Sequence, residues 1–340
     1  MKIKIKTLII FLVLLWFLIM LSIQVSEDIN LKSINNNSIQ EVNAVLSYLN
    51  GIEGEKILSG QMESTWLSSG PDFELNYIKK HTGDYPVIKG LDFIFEEENK
   101  GVVKRTINWW DNGNGGIPTI MWHWGNPMVG EGYENSKKEI DINKMLKVGT
   151  KEHKKMISDL DRIAKHLKII EKSKVPVIWR PLHEANGNWF WWSKNGAEDY
   201  KKIWRFMYKY FTEEKKLNNL IWFLGFSNEA DKKWYPGDEY VDLIGVDTYK
   251  NDFNFQQKMY NSTKNIISSK RIVSCHECGK IPDPVLLEKE NIDWVWFMAW
   301  HSNWLIDNNS PEYIREVYNN DYVVTLSEFP NVMTLYDQSD

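Results

Sequence analysis

The chain has 340 residues, 43% of them apolar, and carries 41 Lys and Arg against 46 Asp and Glu, for a formal charge of −5. This length and apolar content allow one domain with a large core, and 20 Gly and 11 Pro indicate no internal linker. The acidic balance, with no basic run after the first residues, argues against nucleic acid as a partner.

The N-terminus has the composition of an export signal. Lys2, Lys4 and Lys6 precede an apolar run over residues 8–23, and polar and acidic residues follow. No Ala-x-Ala site or lipobox cysteine is present, and the run is about as long as the shortest membrane span, so an uncleaved anchor is the alternative. We predict that residues 1–26 are a signal peptide or membrane anchor. Residues 27–340 then form one domain that is secreted or held at the cell surface.

From residue 38 onwards, short apolar runs alternate with longer amphipathic segments. Residues 38–50, 150–172 and 197–216 have apolar side chains at helical spacing. The candidate strands are 56–61, 86–92, 118–124, 176–183, 220–226, 241–249, 271–277 and 295–300. Eight βα repeats without a Gly-rich phosphate loop predict an α/β fold, a (β/α)8 TIM barrel, rather than an open doubly wound sheet.

Most of these predicted strands end in residues that can do chemistry or bind a sugar. They are Gln61, Asp92, His123, Trp124, His183, Glu184, Asp247, Tyr249, Glu277, Trp300 and His301. Active sites of such barrels lie at this end. The chain also has 17 Trp, many in clusters near strand ends. Core packing is one explanation, but indoles also stack on sugar rings, and the combination favours a carbohydrate site.

Two carboxylates at strand ends match the needs of glycosidic bond cleavage, in which one group protonates the leaving oxygen and the other acts as nucleophile or base. Alternation along the fourth strand places Arg180 and Glu184 on its inward side. Glu277 ends the seventh strand, where the Tyr249 hydroxyl can orient it. A purely structural Arg–carboxylate pair is the alternative for Arg180.

Two cysteines and two further glutamates are alternative candidates for functional residues. Cys275 and Cys278 have redox or zinc spacing, but no second ligand pair accompanies them, and an extended strand points positions i and i+3 to opposite faces. We therefore expect no metal and no cofactor. Glu229 and Glu328, after the fifth and eighth repeats, are weaker candidates for the catalytic carboxylates.

Residues 180–192 resemble the acid/base motif of glycoside hydrolase family 26, the β-mannanases of a large clan of retaining (β/α)8 glycosidases. They read Arg-Pro-Leu-His-Glu-Ala-Asn-Gly-Asn-Trp-Phe-Trp-Trp. Weaker matches follow in the family's order at residues 59–61, 122–124, 241–249, 277–282 and 296–300. His276 departs from the pattern, because Ser or Thr is expected before the nucleophile.

The resemblance implies a role for each matching residue. Glu184 would be the general acid/base, with a pKa raised by its anionic neighbour, and Glu277 the nucleophile. His183 would contact the 2-hydroxyl of the reactive sugar. The subsite around that sugar would be lined by His123, Tyr249 and Trp300, and Trp189 would stack on the next sugar toward the reducing end.

The activity implied is hydrolysis of internal β-1,4-mannosidic bonds in mannan, glucomannan or galactomannan by double displacement, with residues 27–340 as the catalytic domain. A mixed-linkage endo-β-glucanase and a β-1,3-xylanase are alternatives on the same fold. A noncatalytic carbohydrate-binding protein is the alternative from another class.

Overall fold

A computed structural model describes residues 31–65, 70–266 and 271–339. In this part of the chain the strands are β1 (Ile57–Leu58), β2 (Gly60–Met62), β3 (Ile88–Asp92), β4 (Ile117–Met121), β5 (Val177–Arg180), β6 (Leu220–Ser227), β7 (Leu243–Thr248), β8 (Val273–Cys278), β9 (Phe297–Ala299) and β10 (Val323–Val324). Strands β2 to β9 pair in parallel in chain order, and β9 returns to β2 to close the barrel. The predicted (β/α)8 TIM barrel is confirmed.

Helices fill the connections between the strands. Those in the described ranges are α1 (Gln40–Ile52), α2 (Phe73–Thr82), α3 (Glu96–Trp110), α4 (Tyr133–Ser136), α5 (Ile142–Leu146), α6 (Lys151–Lys172), α7 (Trp191–Lys194), α8 (Ala197–Lys209), α9 (Phe253–Ile266), α10 (Pro284–Lys289), α11 (Asn303–Asn308), α12 (Pro311–Tyr318) and α13 (Val332–Ser339). The long α6 shows why they form. Thr150 caps its first turn by accepting from the His153 amide, and its apolar stripe, including Leu160 and Leu167, is fully buried.

Three predicted strands differ clearly from the structure, of which the strand predicted at 118–124 ends at Met121. The strand predicted at residues 56–61 divides at Ser59 into β1, which pairs with β10 outside the barrel, and β2. The Ser59 hydroxyl donates to the Val324 carbonyl over 2.8 Å. The strand predicted at 176–183 stops at Arg180. Pro181 has no amide to donate to a ladder, and Leu182 turns the chain with a φ of 46°.

Gly90 on β3 makes room for two methionines inside the barrel. A Cβ on Gly90 would lie 2.6 Å from the sulfur atoms of both Met62 and Met298, closer than any real contact. Because Gly90 has no side chain, the two methionines can fill this space and pack closely.

Most of the tryptophans in the predicted clusters belong to the core. Trp122 and Trp124 are buried and stacked with ring centroids 4.3 Å apart, and Trp191 and Trp192 are fully buried. Their ring nitrogens have partners, since Trp191 donates to the Trp124 carbonyl over 2.7 Å and Trp192 to the His183 carbonyl over 2.9 Å. The carbohydrate interpretation was therefore wrong for these four residues, whereas Trp189, in the same cluster, is 38% exposed.

No helix in the ranges that the structure describes is long and apolar enough to cross a membrane. The predicted export signal or anchor, residues 1–26, lies outside the described residues. Its boundary with the domain at residue 27 stays a prediction.

Candidate active site

A cleft of about 840 Å³ opens at the carboxyl ends of the barrel strands. All seven residues to which the family resemblance gave a role line it: His123, His183, Glu184, Trp189, Tyr249, Glu277 and Trp300. They follow or end β4, β5, β7, β8 and β9, so the parallel barrel brings together residues up to 177 positions apart along the chain. This is the face at which barrel enzymes carry their active sites.

Glu277 reaches the cleft because β8 contains one extra residue. Val246 of β7 pairs with Cys275, but the next residue, Asp247, pairs with Glu277, so His276 has no partner in the register. Such a β-bulge changes the direction in which the following side chain points. His276 and Glu277 consequently both face the barrel interior.

His276 is a buried, neutral part of that interior. Burial holds the pKa of its imidazole well below the usual value. Its Nδ1 accepts a 3.1 Å hydrogen bond from Trp296, which can only donate, so the proton lies on Nε2, 3.3 Å from the Thr119 hydroxyl. The departure from the family pattern at this position thus places a packed histidine beneath the nucleophile candidate.

Arg180 supports Glu277 from below. Its guanidinium is fully buried, with Nη2 on Asp247 and Nη1 3.1 Å from Glu277 Oε2. Burial opposes the charged form, but the two carboxylates outweigh it and raise the pKa of Arg180. The Tyr249 hydroxyl donates to the other oxygen, Glu277 Oε1. A carboxyl group held by a cation and a hydroxyl donor is fixed in position.

Glu184 occupies the opposite kind of environment. It stands on the loop after β5 with a φ of 52°, a left-handed conformation rare outside glycine, and the Ala185 amide next to it bonds the Gly225 carbonyl over 2.9 Å. Burial, and next the charge of Glu277, raise the pKa of Glu184 to about 7. The expected rise is present, but burial rather than the anionic neighbour is its main cause. The alternation argument was also wrong, because the strand ends before Glu184.

Two histidines and an aspartate form a hydrogen-bonded chain beside the carboxylates. Asp92, at the end of β3, accepts from the His123 amide over 3.0 Å and bonds His123 Nδ1. Burial opposes the charge on His123, but Asp92 raises its pKa, whereas burial holds the pKa of His183 well below normal. A charged His123 can therefore donate from Nε2 to His183 Nε2, 3.2 Å away.

The aromatic residues of the cleft differ in exposure. Trp189 donates from its ring nitrogen to Glu184 Oε2 over 2.7 Å. Trp300 is only 9% exposed, and its carbonyl accepts from the side chain of Gln61, another predicted strand-end residue, over 3.1 Å. The sequence did not single out Trp304, which lines the cleft on α11 and is 43% exposed. A tryptophan four residues after a strand-end tryptophan was the available signal.

The competing carboxylates have other partners. Glu229 forms a 2.8 Å ion pair with Lys258 and does not line the cleft. Glu328 accepts from the amide and hydroxyl of Thr325 over 3.0 and 2.8 Å, just after β10. Neither contacts Glu184 or Glu277 among the described contacts.

The two cysteines are buried free thiols that lie close to each other, and the Cys278 thiol donates to the Met298 carbonyl over 3.4 Å. The expectation that they point to opposite faces was wrong, because the extra residue in β8 puts Cys275 and Cys278 on the same side. Burial raises the pKa of the Cys278 thiol well above normal, so it stays protonated. In the part of the chain that the structure describes, no cluster of three or more His, Cys, Asp or Glu residues could hold a metal ion.

The chain is similar to known glycosidases over most of its length. It is 32% identical to mannan endo-1,4-beta-mannosidase A of Piromyces sp over 321 residues, which cover 90% of this chain and 52% of that protein. It is also 32% identical to the mannan endo-1,4-beta-mannosidase of Thermothelomyces thermophilus, covering 87% and 63%. The chain thus spans about half the length of the Piromyces relative.

Solved structures share the fold. The beta-mannanase from a symbiotic protist of the termite Reticulitermes speratus, complexed with gluco-manno-oligosaccharide, superposes with a TM-score of 0.81 at 33% identity. That comparison covers 88% of this chain and 98% of the other. The model of glycosyl hydrolase family 26 matches residues 34–328. The chain therefore belongs to glycosyl hydrolase family 26.

Proposed function

We propose that this chain cleaves internal β-1,4-mannosidic bonds in mannan, glucomannan or galactomannan with retention of configuration. Glu184 is the general acid/base and Glu277 the nucleophile. Their roles rest on one observation, the contrast between the two carboxyl groups on the walls of a single cleft.

That contrast assigns a task to each group. Glu277 is held between Arg180 and Tyr249, which fixes its carboxyl group in position for attack. Glu184 has a pKa of about 7, so it holds a proton over much of the range in which it must donate one. Pairs of carboxyl groups with separated pKa values are the usual arrangement in glycosidases.

The reaction proceeds in two displacements. Glu277 attacks the anomeric carbon while Glu184 gives its proton to the departing glycosidic oxygen, so a glycosyl ester forms as the C–O bond breaks. Glu184, now a carboxylate, removes a proton from water, and this water releases the sugar and restores Glu277. His123 and His183 lie beside the reacting sugar, where they contact its hydroxyl groups.

The substrate assignment is supported by the relatives, which are named as mannan endo-1,4-beta-mannosidases, and by the protist beta-mannanase bound to a gluco-manno-oligosaccharide. The cleft supports a polymeric substrate, since it is large and exposes Trp189 to solvent.

The test is reducing-sugar release from glucomannan, galactomannan, barley β-glucan and β-1,3-xylan. Glu184→Ala should lower turnover on polymer by roughly 10²- to 10⁴-fold, the usual contribution of a general acid. Glu277→Ala should lower it at least as much. Glu229→Ala is the matched control, because this glutamate also follows a barrel strand but pairs with Lys258 outside the cleft.

The outcomes separate the alternatives. Activity on mannans that both catalytic substitutions abolish and Glu229→Ala preserves supports the proposal. Activity confined to β-glucan or xylan keeps the mechanism and overturns the substrate. Binding of polymer without any release of reducing ends indicates the noncatalytic carbohydrate-binding protein. With azide and an aryl glycoside that has a good leaving group, Glu184→Ala should form the β-glycosyl azide by two displacements, whereas any activity restored to Glu277→Ala should give the α-glycosyl azide by a single displacement.

We also propose that the protein is exported through residues 1–26, because a basic start and an apolar run are typical of such signals. N-terminal sequencing of the protein recovered from culture medium and from membranes distinguishes a cleaved signal from an anchor. An intact N-terminus in a cytoplasmic fraction would contradict export.

A further inference from the structure

Trp304 is the most exposed tryptophan in the cleft. It leaves 43% of its surface to solvent and lines the same cavity as Glu184 and Glu277. Tryptophan is highly buried on average, and Trp294 and Trp296 in the preceding segment are fully buried. An indole left open in a cleft is therefore available to a ligand.

The indole is held in one orientation. Its ring centroid lies 4.4 Å from that of Tyr249, with the planes tilted by 49°. A Cβ on Gly279 would lie 3.1 Å from Trp304 Cε3, so the ring packs against the backbone of the glycine that follows β8. Trp304 thus rests on the two segments that carry and orient Glu277.

Buried side chains fasten both ends of α11, which carries Trp304. At its start, Glu74, which is fully buried, accepts from the Ser302 amide over 2.8 Å. At its end, Asn309 accepts from the Ile281 amide over 2.9 Å and donates to the Gly279 carbonyl over 2.9 Å. The position of the indole is set before any ligand arrives, which reduces the ordering cost of binding.

The two exposed indoles are linked to different carboxyl groups, one directly and one through a tyrosine. Trp189 donates to Glu184, the group that protonates the leaving oxygen in the proposed function. Trp304 packs on Tyr249, whose hydroxyl donates to Glu277. Glu277 attacks the reactive sugar, which lies on the non-reducing side of the cleaved bond. Trp189 therefore marks the leaving-group side of the cleaved bond, and Trp304 the opposite side.

From this arrangement, and resting on the proposed function, we infer that Trp304 is a stacking platform for the sugar that precedes the reactive one toward the non-reducing end. Its indole presents an apolar face to the C–H face of a pyranose ring. The platform selects how the polymer is positioned across the cleft and takes no part in bond breaking.

The experiment measures which bond of mannotriose the full-length protein cleaves, by mass spectrometry of products formed in H₂¹⁸O. Mannotriose can place its extra sugar on either side, and both modes occupy the two sites that flank the cleaved bond. Trp304→Ala should reduce cleavage of the bond nearer the reducing end by roughly 3- to 10-fold relative to the other bond, the size of one aromatic stacking contact. Trp304→Phe should restore most of this preference.

Trp189→Ala is the matched control. It removes a similarly exposed indole from a site that both modes use, so the overall rate falls but the ratio of the two products stays the same. An unchanged ratio in Trp304→Ala, or a change in the opposite direction, overturns the inference. A thermal melt of each variant confirms that the fold persists.

If the proposed function is wrong, the experiment gives a result that differs from failure of the platform inference. If the wild-type protein cleaves no manno-oligosaccharide, the mannanase assignment is wrong, and the platform is tested by calorimetric binding of mannotetraose, cellotetraose and xylotetraose. Trp304→Ala should then weaken the tightest of these complexes by roughly the same 3- to 10-fold. Equal binding by the two proteins, or no binding of any tetraose, overturns the inference.

Discussion

The hydrogen bond from Trp189 to Glu184 should set the upper pH limit of activity. It measures 2.7 Å and is donated to a carboxylate, so it stabilises the ionised form and lowers the pKa of Glu184 against the effect of burial. Trp189→Phe keeps an aromatic ring and removes the donor. The pKa of Glu184 should therefore rise, and with it the pH above which the acid is lost.

The magnitude follows from the geometry. A hydrogen bond to a charged group contributes about 1.5–3 kcal/mol, and solvent reaching the 38% exposed indole roughly halves this. At 1.36 kcal/mol per pKa unit, the alkaline limb of kcat/KM should move from about pH 7 to higher pH by roughly 0.5–1 unit.

The assay is kcat/KM for a soluble manno-oligosaccharide, measured from about pH 4 to 10 in steps of about half a pH unit, so that a shift of this size is resolved. Trp304→Phe is the control, since Trp304 packs on Tyr249 rather than on Glu184, and its alkaline limb should coincide with that of the wild type. A limb that stays in place or moves down in Trp189→Phe, or an equal shift in both variants, would refute the reasoning.

Three further predictions concern mechanism and stability. Proton NMR during early hydrolysis should show the β-anomer of the new reducing end first, and the α-anomer appearing first would contradict double displacement. EDTA should leave turnover unchanged, and a loss restored by a divalent cation would indicate a metal-dependent reaction. Arg180→Ala should lower the free energy of unfolding by about 3–5 kcal/mol in denaturant titrations, because it leaves Asp247 and Glu277 buried without their cation. A variant as stable as the wild type would show that these carboxylates are neutral without Arg180.

The barrel could be predicted because its signals are local. Each strand is a short apolar run, and polar residues such as Asp92, Tyr249 and Glu277 follow at the ends that the parallel topology brings together. The eight barrel strands and the strand-end residues of the cleft could therefore be located without coordinates, whereas the place of Trp189 came from the family resemblance.

The direction of individual side chains could not be predicted in the same way. Strict alternation fails at the extra residue in β8 and again at Leu182 and Glu184, where the backbone turns left-handed. Trp191 is buried against Trp124, which is distant in sequence, so composition could not separate Trp191 in the core from Trp189 in the cleft. Trp304 was missed because α11 is too short to show a periodic pattern.

The unpaired residue in β8 also has an evolutionary consequence. Replacing His276 changes a packing contact, but deleting it would remove the bulge, and a further one-residue insertion before Glu277 would shift its register and turn its side chain away from Arg180. This segment should accordingly tolerate substitutions far better than insertions or deletions. In related proteins, the length of the segment between Val273 and Gly279 should vary less than the identity of the residue at position 276.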